Sequence, residues 1–186
     1  MTQSVFFSFQ YDPDNWRVQQ VMNMGAVSGG SAFTPQDWEA VRYKTDAAIE
    51  KWIHEQMLYT KAVIVLVGAT TSESRWVKYE IIKAWKDKRP LLGVRIHGLL
   101  DKNGNSSSYG SNPFSAISMT NGGTMADYVT LVDPSGSDSK GIYRDIQDNL
   151  ENWIKYRTYF RRDESLRRGS GRDPEKFAHI RLINLC

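Results

Sequence analysis

The six-residue run Ala62-Val-Ile-Val-Leu-Val67 constrains this chain more than any other stretch. An unbroken apolar segment of that length, set between Lys61 and Gly68, reads as a buried strand. A small polar loop follows at Thr70-Thr-Ser-Glu-Ser74, and the spacing from about Arg75 to Lys86 predicts a helix that ends ahead of Lys88-Arg-Pro90. The first turn of that helix is expected to carry a carboxylate, Glu80, at the carboxyl end of a sheet, where open α/β folds bind their ligands.

Other elements fall around this one. Ser4-Val-Phe-Phe-Ser-Phe9 is rich in aromatic and β-branched residues and fits a first strand. Asp12-Pro13 reads as a cap followed by proline at the first helical position, opening a helix to about Met24 with Trp16, Val18, Val21 and Met22 turned inward. Gly25 to Phe33 is Gly/Ser-rich and is expected to be a mobile connection. Thr34-Pro35 opens a short helix through Trp38 and Val41, and Thr45 caps a longer one in which Ala48, Ile49, Trp52, Ile53 and Met57 recur at helical steps. Leu91 to Ile96 reads as a third strand, and Asp101 to Asn112 as a surface loop. Pro113 to Thr124 receives no element. Tyr128 to Val132 fits a fourth strand, and Ile142, Ile146, Leu150, Trp153 and Ile154 share one face of a last helix between about Ile142 and Phe160. Strands alternating with helices, through connections too long for hairpins, predict an α/β fold: a doubly wound, mainly parallel sheet with helices on both faces. One domain over residues 1–186 is expected, with a tail from about Arg161 in which Phe177, Ile180, Leu182 and Ile183 could pack on the domain or meet a partner.

Composition excludes more than it selects. A net charge of +3, with Arg157, Arg161, Arg162, Arg167, Arg168 and Arg172 crowded late in the chain, comes without any recognisable nucleic-acid-binding module, so no nucleic-acid partner is expected. The one cysteine, Cys186, allows no intrachain disulfide. The first ten residues lack the pattern of a signal peptide, and the longest apolar run is far below the roughly 18 residues that span a bilayer. The expectation is a cytoplasmic protein without a membrane partner. His54, His97 and His179 lie on different elements without metal-ligand spacing, so no metal is expected. Neither a Ser/His/Asp arrangement nor a Gly-rich phosphate loop after a strand can be read.

The candidates for chemistry therefore gather around two segments. Trp76 and Glu80 are four apart and share one side of their helix. Glu80 could simply favour the helix, by about 0.3–1 kcal/mol near an N-terminus, or it could face a polar pocket together with the hydroxyls of Thr70 to Ser74. Ser8, Phe9, Gln10 and Tyr11 would emerge beside the Ala62 strand if the two strands are neighbours. Ser8 and Phe9 could equally be core residues, Tyr11 a surface ring and Asp12 a helix cap.

Three blocks in order, Ser4-Val-Phe-Phe-Ser-Phe9, then Ala62-Val-Ile-Val-Leu-Val-Gly68 with Ser74-Arg-Trp-Val-Lys-Tyr-Glu-Ile81, then Leu91-Leu-Gly-Val-Arg-Ile-His97, resemble the TIR-like domain of the ThsB family of the Thoeris antiphage system. The resemblance implies a flavodoxin-like, TIR-like fold and a catalytic glutamate four residues beyond a tryptophan, here Glu80 and Trp76. Val77 stands where the wider family usually has cysteine. It further implies that Ser8, Phe9, Gln10, Tyr11 and Ser74 line a nucleotide pocket. The implied activity is cleavage of the nicotinamide–ribose bond of NAD, with NAD as substrate and no cofactor, and closure of the product to a cyclic ADP-ribose isomer. That diffusible nucleotide would activate a separate effector after a phage-derived trigger, and self-association on activation is left open. Two other readings stay open at this point. One is a non-catalytic TIR-type interaction module. The other, a receiver-type phosphoacceptor, needs an aspartate ending a central strand, whereas the candidate strands end in Phe9, Val67 and Ile96.

Overall fold

The computed structural model describes residues 4–120 and 122–158. Four parallel strands, β1 (Phe6–Ser8), β2 (Val63–Val67), β3 (Leu91–Arg95) and β4 (Leu131–Val132), lie side by side in that order. Ser8 pairs with Val65 and Val65 with Gly93, while Val67 pairs with Arg95. β1, β2 and β3 are buried throughout, because helices cover both faces of the sheet. This is the doubly wound α/β architecture that the strand–helix alternation predicts and that the resemblance implies.

Among the described residues five α-helices connect and cover the strands: α1 (Tyr11–Asn23), α2 (Pro35–Val41), α3 (Asp46–Met57), α4 (Arg75–Lys86) and α5 (Ser139–Arg157). α1 and α5 pack on one face, where Gln147 of α5 donates to the carbonyl of Met24. α4 packs on the other. Thr34 and Asp37 close a capping box on α2, Thr45 caps α3, and Asp138 accepts from the Gly141 N–H at the start of α5.

Several expectations are corrected. The Gly25–Phe33 segment is not simply a mobile connection. Ser31 forms a parallel bridge with Val5, the Val5 N–H donates to the Gly30 carbonyl, and Val27 and Phe33 are buried. It therefore lies along the free edge of β1. The chain leaves β1 outward to this edge, then returns across to β2 on the other side. Direction reverses between β1 and β2, which is the topological switch point where open α/β sheets take ligands. In α1, Asp12 does not cap: Gln10 is the N-cap residue and makes no side-chain bond there, while Asp12 pairs with Arg42 at 2.7 Å. Trp16 points outward, 51% exposed, because Asp14, Arg17, Val18 and Val21 fill the inward face. The fourth strand is shorter than the spacing suggests: Met125–Asp127 turns as a 3₁₀ segment, and residues 128–130 lead from it to the two-residue β4. Pro113–Ala116 is a second such turn, and it sets Phe114 into the core beneath β3, where Gly93 leaves room for its ring. Phe160, the tail from about Arg161 and the side chains of Phe177, His179, Ile180, Leu182, Ile183 and Cys186 lie outside the described residues.

Candidate functional site

β1 and α4 meet at the switch point. Alternation along β1 turns Ser8 toward the α4 face, and its hydroxyl donates to Glu80 Oε2 at 2.5 Å. Glu80 is the sixth residue of α4, in its second turn rather than its first, so dipole stabilisation at the N-terminus does not account for it. It is also buried, at 4% exposure, and its hydroxyl partner is Ser8 and not one of the hydroxyls of residues 70–74. No cation pairs with it among the described residues. Burial pushes its carboxyl up to about 8, and the Ser8 hydrogen bond pulls in the opposite direction without cancelling the effect.

The other candidates surround this pair in different ways. Gln10 accepts from the Thr70 hydroxyl at 2.9 Å, which ties the end of β1 to the loop after β2. Phe9 is buried and stacks against Phe33 at 6.2 Å between centroids. From Phe33 a chain of rings continues through Trp52, Trp38 and Trp76 to Tyr79, the residue before Glu80. Tyr11 donates to Glu39 at 2.8 Å and lies under the Arg42 guanidinium, so both its hydroxyl and its ring face have protein partners. Ser74 is the N-cap of α4 and accepts from the Val77 N–H, a helix-capping role separate from the Ser8–Glu80 pair. The structure thus gathers Ser8, Phe9, Gln10 and Glu80 about the switch point and commits Tyr11 and Ser74 to other contacts.

Sequence reasoning missed the buried charges on both sides of this edge. Asp14 packs against Gly68, where any side chain would collide with its carboxylate, and burial raises its pKa against the opposing pull of Arg17. Arg17 also donates to the carbonyls of Leu99 and Asn105, each at 2.8 Å. Arg95 ends β3 buried. A charge inside the apolar run Leu-Leu-Gly-Val-Arg-Ile was the signal that could have singled it out. Among the described residues no group of histidine, cysteine, aspartate and glutamate is placed to hold a metal ion, and no helix is long and apolar enough to cross a membrane.

Comparison with known proteins bears on this geometry. A relative from Bacillus cereus (strain MSX-D12), named "Putative cyclic ADP-D-ribose synthase ThsB1", is 35% identical over 119 residues. The alignment covers 61% of this chain and 62% of the relative, so the chain matches less than two thirds of that protein's length. The family described as "Thoeris protein ThsB, TIR-like domain" matches residues 6–101, which run from β1 through the end of β3 and contain Ser8, Gln10 and Glu80. The chain belongs to the ThsB family of TIR-like Thoeris proteins.

Proposed function

We propose that this protein cleaves the nicotinamide–ribose bond of NAD and closes the remaining ADP-ribose into a cyclic isomer, a diffusible signal that activates a separate effector in defence against phage. The observation that carries the reading is a buried carboxyl group at the switch point, held by one serine hydroxyl and by no cation among the described residues. The relative's name supports the same chemistry.

Nicotinamide in NAD is a pyridinium. It leaves with the bonding electron pair as a neutral molecule, so departure needs no general acid. Positive charge passes to the anomeric carbon and ring oxygen of the ribose, an oxocarbenium-like state. Glu80 in its ionised form stabilises that charge and accepts hydrogen bonds from the ribose hydroxyls, and in a water-poor site such a contact is strong. Ser8, by donating to Glu80, favours the ionised form. A nucleophilic atom elsewhere in the same molecule then bonds to the anomeric carbon and releases a proton, giving cyclic ADP-ribose, nicotinamide and H⁺ from NAD⁺. Phe9 and the ring chain beyond it offer apolar faces for a base, and Gln10 a polar group beside them. Glu80 is closed from solvent, so substrate entry requires side chains around it to shift. An activity gated by a phage-derived trigger fits that burial.

The test is mass spectrometry of nucleotides from infected cells expressing either the natural chain or Glu80→Gln. A product of cyclic ADP-ribose mass with the first and none with the second is expected. A folded natural chain that yields no such product during infection leaves the interaction-module reading in its place.

A further inference from the structure

Arg95 is 5% exposed at the last position of β3, at the same carboxyl edge as Ser8. A buried guanidinium ordinarily has a carboxylate beside it, because an uncompensated buried charge is costly. Arg95 has none among the described residues. One terminal nitrogen donates to the carbonyls of Tyr109 at 2.6 Å and Gly110 at 3.0 Å, and the Tyr109 ring lies over the group at 3.5 Å. The guanidinium also hydrogen-bonds to the Tyr109 side chain, so its partners are two carbonyls and one neutral phenol, with no carboxylate among the described residues.

Register places this cation on the side of the sheet that matters. Laterally paired residues of a parallel sheet point the same way, so Ser8, Val65 and Gly93 share the α4 face. Val67 and Arg95, two residues further along β2 and β3, share it too. Contacts along the edge are continuous. Gly110, at φ 69°, sits so close to the carbonyl oxygens of Gly68 and Ala69 that no side chain could fit there. The next residue, Thr70, donates to Gln10. The guanidinium therefore reaches back toward the loop that borders the Ser8–Glu80 pair. Its cover is light: Tyr109 is more than half exposed, and its hydroxyl donates to Asp133 at 2.8 Å.

We infer that Arg95 is an anion-binding residue of this site, taking the diphosphate of a dinucleotide after Tyr109 swings aside, while Glu80 holds the ribose. A guanidinium suits this because its planar donors match two oxygens of a phosphate at once. The identity of the ligand rests on the NAD reading above, whereas the presence of an oxyanion site does not.

Calorimetric titration of the full chain with inorganic pyrophosphate, and separately with NAD, tests the assignment in the natural protein, Arg95→Met, Arg95→Lys and Glu80→Gln. Pyrophosphate is expected to bind the natural chain and Glu80→Gln alike, several-fold more weakly to Arg95→Lys, and at least 10-fold more weakly to Arg95→Met. Circular dichroism checks folding. If Arg95→Met does not fold, Arg95→Lys decides, because it keeps the charge and loses the planar fork. Absence of pyrophosphate binding by the natural chain, or unchanged affinity in the folded arginine variants, overturns the proposal. Pyrophosphate binding that depends on Arg95, in a chain that makes no cyclic product in infected cells, leaves the anion site standing and removes NAD as its ligand. Turnover of NAD with an unaltered KM in Arg95→Lys and Arg95→Met does the reverse.

Discussion

α1 and α4 lie on opposite faces of the sheet, and each buries one carboxyl group at its carboxyl edge. Burial raises both Asp14 and Glu80, but the surroundings differ. Asp14 has Arg17 at 3.4 Å, and Arg17 fastens the loop at Leu99 and Asn105 to α1. Glu80 has one hydroxyl. Among the described residues, Arg17 is committed to holding a loop down and leaves one Asp14 oxygen without a hydrogen-bond partner, whereas Glu80 has no counterion at all. A buried acid alone therefore does not mark a site, and the role proposed for Glu80 rests on its lack of a counterion among the described residues.

The strongest way to break this contrast is to remove the counterion that Asp14 has. Arg17→Met strands Asp14 and frees the loop carbonyls, so a loss of about 3–5 kcal/mol is expected, seen as a thermal midpoint lower by roughly 10 °C. Without Arg17 the Asp14 carboxyl rises further, and the deficit should shrink as pH falls and Asp14 takes up a proton. A deficit independent of pH would show that loop anchoring, and not the ion pair, is what Arg17 supplies.

Glu80→Gln should have the opposite pattern. Loss of the charge is expected to lower nicotinamide release by about 10²–10³-fold, the range for removal of one electrostatic group in a preorganised site. Stability should rise instead of falling. Because the folded carboxyl titrates near 8 and the unfolded one near 4.5, the folded state holds the extra proton between these values, and the natural chain loses stability as pH climbs through that window. The variant lacks this loss, so its thermal midpoint should match or exceed that of the natural chain above pH 8. Its advantage should vanish below about pH 4.5. Denaturation curves at both ends of the range check the sign, and a variant less stable at high pH would make Glu80 a structural group like Asp14.

Ser8→Ala sharpens the same point with a smaller effect. Its hydrogen bond holds Glu80 down, so removal should push the carboxyl above about 8. Turnover near neutral pH is expected to fall by about 10-fold, recovering as pH rises, since loss of one hydrogen bond to a charged group is worth roughly 1.5–3 kcal/mol. A pH–rate profile whose ascending limb is unshifted would separate Ser8 from the ionisation of Glu80.

How much of this was legible in the residues follows from what each signal measures. The apolar run at Ala62 and the capped, periodic segments at Thr45 and Arg75 gave α3, β2 and α4 almost to the residue, because burial pattern and capping act locally. Glu80 was visible through its spacing from Trp76. Its burial was not, since that depends on β1 lying against α4, a contact 72 residues apart in sequence. The edge pairing of Ser31 was hidden for the same reason: Gly and Ser carry little strand preference, and neighbouring β1 supplies the bond partners.

Trp16 carries the smallest prediction and the sharpest lesson about α1. A tryptophan beside Val18 and Val21 looks like core by composition, yet the helix turns Asp14 and Arg17 inward and leaves Trp16 half exposed. Helical geometry allows only one of the two sets to face the sheet, since positions 14, 17, 18 and 21 form a stripe at steps of three and four that excludes 16. The buried ion pair survives because Leu99, Asn105 and Asp101 give Arg17 further partners, so the loop after β3 selects the face. Trp16→Gln should then change stability by no more than about 0.5 kcal/mol, as for other surface substitutions away from a specific contact, and leave nicotinamide release unaltered. A loss of several kcal/mol in urea denaturation would mean that the indole is packed in solution, and that α1 presents its apolar residues, not Asp14 and Arg17, to the sheet.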